Sequence, residues 1–76
     1  MKDNYRRLNL EFGAPNLASD RAQNVEHCIA VCARRPACRY YVFKLGFCHY
    51  KGIGFRNFPH LPCPNTPNYA CGTVEG

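Results

Sequence analysis

The stretch from Asn24 to Lys51, NVEHCIAVCARRPACRYYVFKLGFCHYK, decides the fold of this chain. It contains four of the six cysteines and the clearest periodicities of the sequence. Between Val25 and Ala33, apolar residues recur at i, i+3, i+4, i+7 and i+8, which predicts one apolar face of a helix. Asn24 suits the N-cap position, and Pro36 is expected to stop the helix because proline cannot continue it.

A β-hairpin is predicted directly after this helix. Residues 40–43 are aromatic and β-branched, which is typical of a strand. Gly46 favours a turn, and the chain returns through residues 47–50. The face of the first strand that carries Tyr41 and Phe43 is expected to pack against three apolar residues, namely Val25, Ile29 and Leu10.

The order of cysteines and aromatic residues in this stretch resembles the PAN/apple module. The pattern Cys-x3-Cys-x5-Cys-x2-aromatic-x-aromatic-x4-Cys falls on Cys28, Cys32, Cys38, Tyr41, Phe43 and Cys48. The family includes apple domains of blood-clotting zymogens, the N-terminal domain of hepatocyte growth factor and adhesins of apicomplexan parasites. The resemblance covers roughly residues 12–58. It implies a small disulfide-rich α+β fold in which one helix packs on a short antiparallel sheet.

Six cysteines in 76 residues are typical of a disulfide framework made in an oxidising compartment. Spacing alone leaves every connectivity open. The resemblance implies the pairs Cys28–Cys48 and Cys32–Cys38, and by exclusion Cys63 then pairs with Cys71. The chain departs from the apple pattern because no cysteine precedes Cys28. The bridge that usually joins the two ends of an apple domain is therefore absent.

The flanking segments are interpreted as parts of one domain, residues 1–76, with a motif core at 12–58 and a Pro- and Asn-rich tail at 59–76. Leu8, Leu10 and Phe12 alternate with polar residues, which predicts a half-buried strand. The following residues, 13–23, are expected to form a loop.

The segment 52–76 is rich in glycine, proline and asparagine and is predicted to be mostly loop. Ile53, Phe55 and Phe58 are expected to pack under the sheet. A closing edge strand is predicted from Tyr69 to Val74.

The sequence lacks a targeting segment and any apolar run near the ~20 residues that a membrane span needs. No membrane span is therefore expected. Because a disulfide framework requires an oxidising compartment, we expect a secreted or extracellular location, with the chain a mature domain or a fragment restarted at Met1.

Catalytic and metal-binding patterns are weak in this sequence. Ser19 is the only serine and follows no nucleophile-elbow pattern, and the five carboxylates suggest no acid–base pair. His27 and His49 lie beside cysteines, but a disulfide framework uses all of those cysteines and leaves no zinc ligand set. We expect no catalytic residues, no metal and no cofactor.

Charge is the main functional signal. Ten Lys and Arg against five acidic residues give a formal net charge of +5. Such a balance favours anionic partners. Three arginines cluster around the helix end, where cations also complement the helix dipole. The predicted ligand-binding set, expected to form one basic stripe for sulfates or carboxylates, is Arg34, Arg35, Arg39, Lys44, Lys51 and Arg56.

The resemblance also suggests a ligand class. The N-terminal domain of hepatocyte growth factor binds heparin through basic residues on the helix and its neighbouring loop. One of those positions matches Arg34, whereas another matches Val31, so the implied contact set is only partly present.

We expect a non-catalytic binding module for an anionic, heparin-like glycan or for a protein partner. The alternative is a secreted cationic protease inhibitor or a toxin- or antimicrobial-like peptide. No nucleic-acid-binding motif is present and no nucleic acid partner is expected. The sequence makes no prediction of oligomeric state.

Overall fold

The computed structural model describes residues 3–75, so Met1, Lys2 and Gly76 lie outside the account that follows. In chain order the described part contains β1 (Asn4–Arg7), β2 (Leu10–Phe12), β3 (Asn16–Arg21), α1 (Val25–Arg34), β4 (Tyr40–Lys44), β5 (Phe47–Lys51), the 3-10 helix η1 (Ile53–Asn57), β6 (His60–Pro62) and β7 (Tyr69–Glu75).

The main sheet has five strands in the order β1-β7-β4-β5-β3, and every neighbouring pair is antiparallel. Helix α1 packs on its central strands β4 and β7. A second, two-stranded sheet is made by β2 and β6. The predicted fold class, a small disulfide-rich α+β domain with one helix on an antiparallel sheet, is confirmed.

Helix α1 begins and ends where the sequence predicts. The side-chain oxygen of Asn24 accepts a hydrogen bond from the backbone N–H of His27 at 2.8 Å, as an N-cap does. The helix ends at Arg34, and Arg35 is extended because the proline that follows disfavours helical geometry there. The apolar stripe of the helix is buried at Val25, Cys28 and Cys32.

Alternation along β4 sends its aromatic residues into two separate cores. Tyr41 and Phe43 face the helix, in a cluster that includes Val25 and borders on Ile29. Tyr40 and Val42 point to the other side, into a cluster with Phe12 and Phe55 that the small sheet and η1 cover. The expectation that Leu10 packs with Tyr41 and Phe43 is wrong, since Leu10 borders on this second cluster.

Three disulfides join these layers. Their Cα–Cα distances are 5.5 Å for Cys28–Cys48, 5.3 Å for Cys32–Cys38 and 6.3 Å for Cys63–Cys71, and no cysteine of residues 3–75 is free. Cys28–Cys48 and Cys32–Cys38 are the pairs that the PAN/apple resemblance implies, and Cys63–Cys71 is the pair expected by exclusion. The first two fasten α1 to β5 and to the start of β4, and the third lies in the second core.

The N-terminal flank differs from its prediction in two ways. The predicted strand at residues 8–12 is limited to β2, and a further strand, β1, precedes it. Residues 13–23 are not a loop, because residues 16–21 form the edge strand β3 against β5. Strand β3 is exposed except at Ala18, and its two apolar residues, Leu17 and Ala18, are adjacent, so it has no apolar alternation by which a strand is recognised.

The C-terminal segment is more ordered than predicted. Strand β7 is an inner strand between β1 and β4, not an edge strand. Strand β7 is an inner strand because β1 pairs with its outer side. The sequence of β1 is polar and does not predict a strand there. Phe55 is buried in the second core as expected, whereas Ile53 is 79% and Phe58 39% exposed.

Candidate ligand-binding site at the basic end of the sheet

Most of the arginines lie toward one end of the main sheet. Strand β4 begins there, and the register places Tyr40 opposite both Lys51 of β5 and Thr73 of β7. Arg6 of β1 also pairs with Thr73. Helix α1 leads into β4, so its C-terminus reaches the same end, and η1 starts just after β5. We call this region the basic end and define it by its five arginines, Arg6, Arg34, Arg35, Arg39 and Arg56.

The backbone that carries three of these arginines is tightly fixed. The Cys32–Cys38 bridge closes a ring that contains Arg34 and Arg35, with Arg39 directly after it. Within the ring, the N–H of Cys38 donates to the carbonyl of Arg35 at 3.0 Å. Arg39 then joins the sheet, since its N–H donates to Lys51 at 2.9 Å and its carbonyl accepts from Val74 at 3.0 Å. We call residues 34–39 the arginine loop.

Two of the loop's side chains are oriented by neighbours. The guanidinium of Arg35 donates to a carboxylate oxygen of Asp20 at 3.1 Å and lies over the ring of Tyr50, 4.9 Å from its centroid. That of Arg39 donates to the carbonyl of Pro36 at 2.6 Å. The Asp20–Arg35 pair is about half exposed and so contributes about 0–1 kcal/mol. An anionic ligand can therefore replace Asp20 at little cost.

Arg34 is exposed in the last turn of α1 and forms no ion pair within residues 3–75. Its charge lies at the negative end of the helix dipole, which favours its position. It is thus the member of the loop most available to a ligand.

A shallow depression of about 190 Å³ lies on the side of the sheet away from the helix. Arg6 and Arg56 line it together with Asn4, Glu75 and Thr73, of which Thr73 is only 5% exposed. The guanidinium of Arg56 rests over the Phe55 ring, 4.5 Å from its centroid, which orients it. The volume is below the range of pockets that enclose a whole small molecule, so it suits a single sulfate or carboxylate group.

The sequence did not identify Arg6 as a site residue. The segment Asn4–Arg7 has no apolar alternation, so nothing marked it as a strand. Its pairing with the end of β7, which brings Arg6 to Thr73, is a long-range contact that spacing does not reveal.

Two of the predicted site residues do not belong to a ligand surface of this kind. Lys51 is only 7% exposed. Its ammonium group donates to the carbonyl of Ala14 and, at 2.8 Å, to the side-chain oxygen of Asn16. Burial lowers the pKa of Lys51. This lysine holds the segment before β3 against β5, and its role is structural.

Lys44 lies at the other end of the sheet, where the register places it opposite Phe47 and Tyr69. It pairs with Glu11 at 3.3 Å and lies over the Tyr69 ring. Alternation along β4 directs Lys44 to the face away from the helix, because Tyr41 and Phe43 take the helix side. The prediction that all six basic residues form one stripe is therefore wrong for Lys44 and Lys51.

One pair of side chains resembles part of a catalytic arrangement. Ser19 and His49 are cross-strand neighbours, and the Ser19 hydroxyl is 2.7 Å from Nδ1 of His49. Within residues 3–75, no carboxylate hydrogen-bonds to His49, so the group that orients the histidine in a Ser-His-Asp triad is lacking there. Burial lowers the pKa of His49.

In the part of the chain that the structure describes, no group of three or more His, Cys, Asp or Glu side chains is placed to hold a metal ion. No helix among residues 3–75 has the length and hydropathy to cross a membrane. Comparison with known proteins gives no match, since no family model, no curated protein and no solved structure matches the chain.

Proposed function

We propose that this chain is a secreted, non-catalytic binding module of the PAN/apple type whose basic end binds an anionic, heparin-like glycan. One observation carries the proposal: the backbones of five arginines, on four different elements or loops, lie toward one end of the sheet, and their side chains are distributed over its two faces. The arginines are Arg6, Arg34, Arg35, Arg39 and Arg56.

The chemistry of the basic end suits sulfate and carboxylate groups. A guanidinium presents donors in a planar fork that matches these oxyanions bidentately. The Cys32–Cys38 ring and the sheet hydrogen bonds of Arg39 hold the arginine loop in place before a ligand arrives. Such preorganisation reduces the entropy lost on binding.

The two sides of the basic end offer different contacts. The arginine loop presents charge on the helix side, while Arg6 and Arg56 line the depression on the other side. Glu75 lines the same depression and is a suitable acceptor for the hydroxyl groups of a sugar. A polymer that carries both sulfates and hydroxyls fits this combination better than a simple polyanion does.

The family and the location are part of the proposal. The PAN/apple resemblance is supported by the places of its residues in the fold. The pattern spans a helix followed by a hairpin, and the two bridges that the resemblance implies are both formed. Three disulfides are compatible with an extracellular domain.

A direct test compares elution from immobilised heparin with elution from a sulfonate cation exchanger of equal charge density. Specific recognition predicts elution from heparin at the higher salt concentration. Calorimetric titration with a heparin oligosaccharide and with its fully desulfated counterpart measures the contribution of the sulfates. Elution at the same salt from both columns would show net charge alone, and a protein partner would then be the better hypothesis.

A further inference from the structure

Strand β1 forms one edge of the main sheet, and no other strand of residues 3–75 pairs with its outer side. It pairs with β7 over four residues without a bulge. The N–H of Leu8 donates to Cys71 at 3.0 Å, which fixes the alternation of the antiparallel ladder. The pairs Arg6–Thr73 and Asn4–Glu75 are then the hydrogen-bonded ones. It follows that the N–H and C=O groups of Tyr5 and Arg7 point away from the sheet.

A groove of about 420 Å³ runs between this strand and helix α1. Its walls are mainly apolar, with Tyr5 on the strand and Ile29, Ala30 and Ala33 on the helix. Tyr5 is 60% exposed, so most of its side chain is open to solvent. The volume lies in the range of functional binding clefts.

Polar groups mark the ends of the groove. Asp3 lines one part, and the half-exposed ion pair between Arg7 and Glu26, at 3.6 Å, bridges the strand and the helix. On the far side of this pair a second depression of about 350 Å³ continues past Asn24 and Asn65. The groove is thus long enough for several residues of an extended chain.

The other edge of the sheet is less regular. The register of β3 shifts between Asn16 and Ala18, and such a bulge interrupts a regular row of donors and acceptors. The two edges therefore provide an internal comparison, in which β1 combines a regular ladder with a groove beside it.

We propose that an extended peptide of a partner protein adds to β1 as a sixth strand and places alternate apolar side chains in the groove beside α1. The free N–H and C=O groups of Tyr5 and Arg7 match the spacing of an extended backbone, which a lipid or a sugar does not reproduce. The other side chains of the peptide face Asn4 and Arg6, so an acidic residue is favoured there. This inference goes beyond glycan binding and does not depend on it.

The probe is a displayed library of seven-residue peptides selected on the folded protein. Selected sequences are expected to alternate apolar with polar or acidic residues. Their affinities are then measured by titration of synthetic peptides against the unmodified protein and two variants. The first variant, made by chemical synthesis, carries an N-methyl group on the backbone nitrogen of Tyr5, which removes one donor and obstructs an added strand but leaves the β1–β7 bonds intact.

The second variant is Ala30→Gln, which fills the groove and leaves the edge unchanged. Its control is Leu61→Gln, at a position of β6 that is 68% exposed and lies outside both the groove and the basic end. A main-chain hydrogen bond is worth roughly 3- to 10-fold in affinity, and the N-methyl group also obstructs the added strand, so we expect a loss of about tenfold or more for the N-methyl variant. A similar loss is expected for Ala30→Gln, with Leu61→Gln unaffected. Retained affinity in either variant would overturn the proposal, as would a library that yields no binding peptide.

Discussion

Opening the Cys32–Cys38 bridge should harm ligand binding more than it harms the fold. The bridge spans six positions of sequence, and the chain-entropy relation gives it a contribution of about 2.2 kcal/mol to stability. A domain of ordinary stability, about 5–15 kcal/mol, tolerates that loss. The arginine loop, however, depends on this ring for its geometry. With the ring open, each arginine pays about 0.5–1.5 kcal/mol of ordering on binding.

The chain offers a matched control. Cys63–Cys71 spans eight positions and is worth about 2.5 kcal/mol by the same relation, but it lies in the core on the other face. Alanine pairs at Cys32/Cys38 and at Cys63/Cys71 are compared by denaturant unfolding and by heparin titration. We expect similar losses of stability and a loss of affinity of about tenfold or more only for the first pair. Equal affinities in the two variants would refute the idea that the ring preorganises the arginines.

Three further predictions concern the cores. Phe55→Ala should lower the free energy of unfolding by about 3–5 kcal/mol, because Phe55 is 1% exposed and stacked on Tyr40 at 4.6 Å; a loss below about 1 kcal/mol in denaturant titration would contradict that packing. Tyr41→Phe should leave stability unchanged or raise it by about 1 kcal/mol, since the buried hydroxyl of Tyr41 has no partner within residues 3–75; a clear loss in the same assay would show that the hydroxyl is bonded. Burial raises the pKa of Tyr40, Tyr41 and Tyr50, so their protonated forms stabilise the fold fully below pH 10, and this contribution should fall as the pH rises above 10. Absorbance at ~295 nm should show these three tyrosines ionising only as the chain unfolds, and their ionisation in the folded protein would contradict the prediction.

The helix and the hairpin were predictable because their signals are local. The capping residue Asn24, the stop before Pro36 and the aromatic run of β4 each act within a few residues of the chain. The turn between β4 and β5 is equally local, with Leu45 and Gly46 both at positive φ, as a two-residue type I′ hairpin turn requires.

The edges of the sheet were not predictable for the opposite reason. Strands β1 and β3 are exposed and polar, and they form because β7 and β5 offer them backbone partners from distant parts of the sequence. The second core was missed in part because η1 and the small sheet fold back over β4, which gives that strand two buried faces instead of one.

The residues of the candidate site also divide into those with a local sequence signal and those brought in by long-range pairing. Arg34, Arg35 and Arg39 were recognised because they are close in sequence around a helix end. Arg6 lies at the site because β1 pairs with β7. The spacing of residues in the sequence does not predict this pairing. Lys51 was misassigned because charge alone does not distinguish an exposed lysine from one that donates to Ala14 and Asn16 inside the fold.

The most direct test of the basic end uses two double variants of equal charge. Arg34→Gln with Arg56→Gln removes two cations of the basic end that form no ion pair within residues 3–75. Arg21→Gln with Lys44→Gln removes two cations near the other end of the sheet. Heparin affinity is measured for each variant over a range of salt concentrations. Each ionic contact contributes about 0.7–0.9 to the slope of log affinity against log salt, so the first variant should lose about 1.4–1.8 of slope together with affinity. The second variant should keep a slope close to that of the unmodified protein. Equal losses in both would mean that net charge, and not a site at the basic end, binds the glycan.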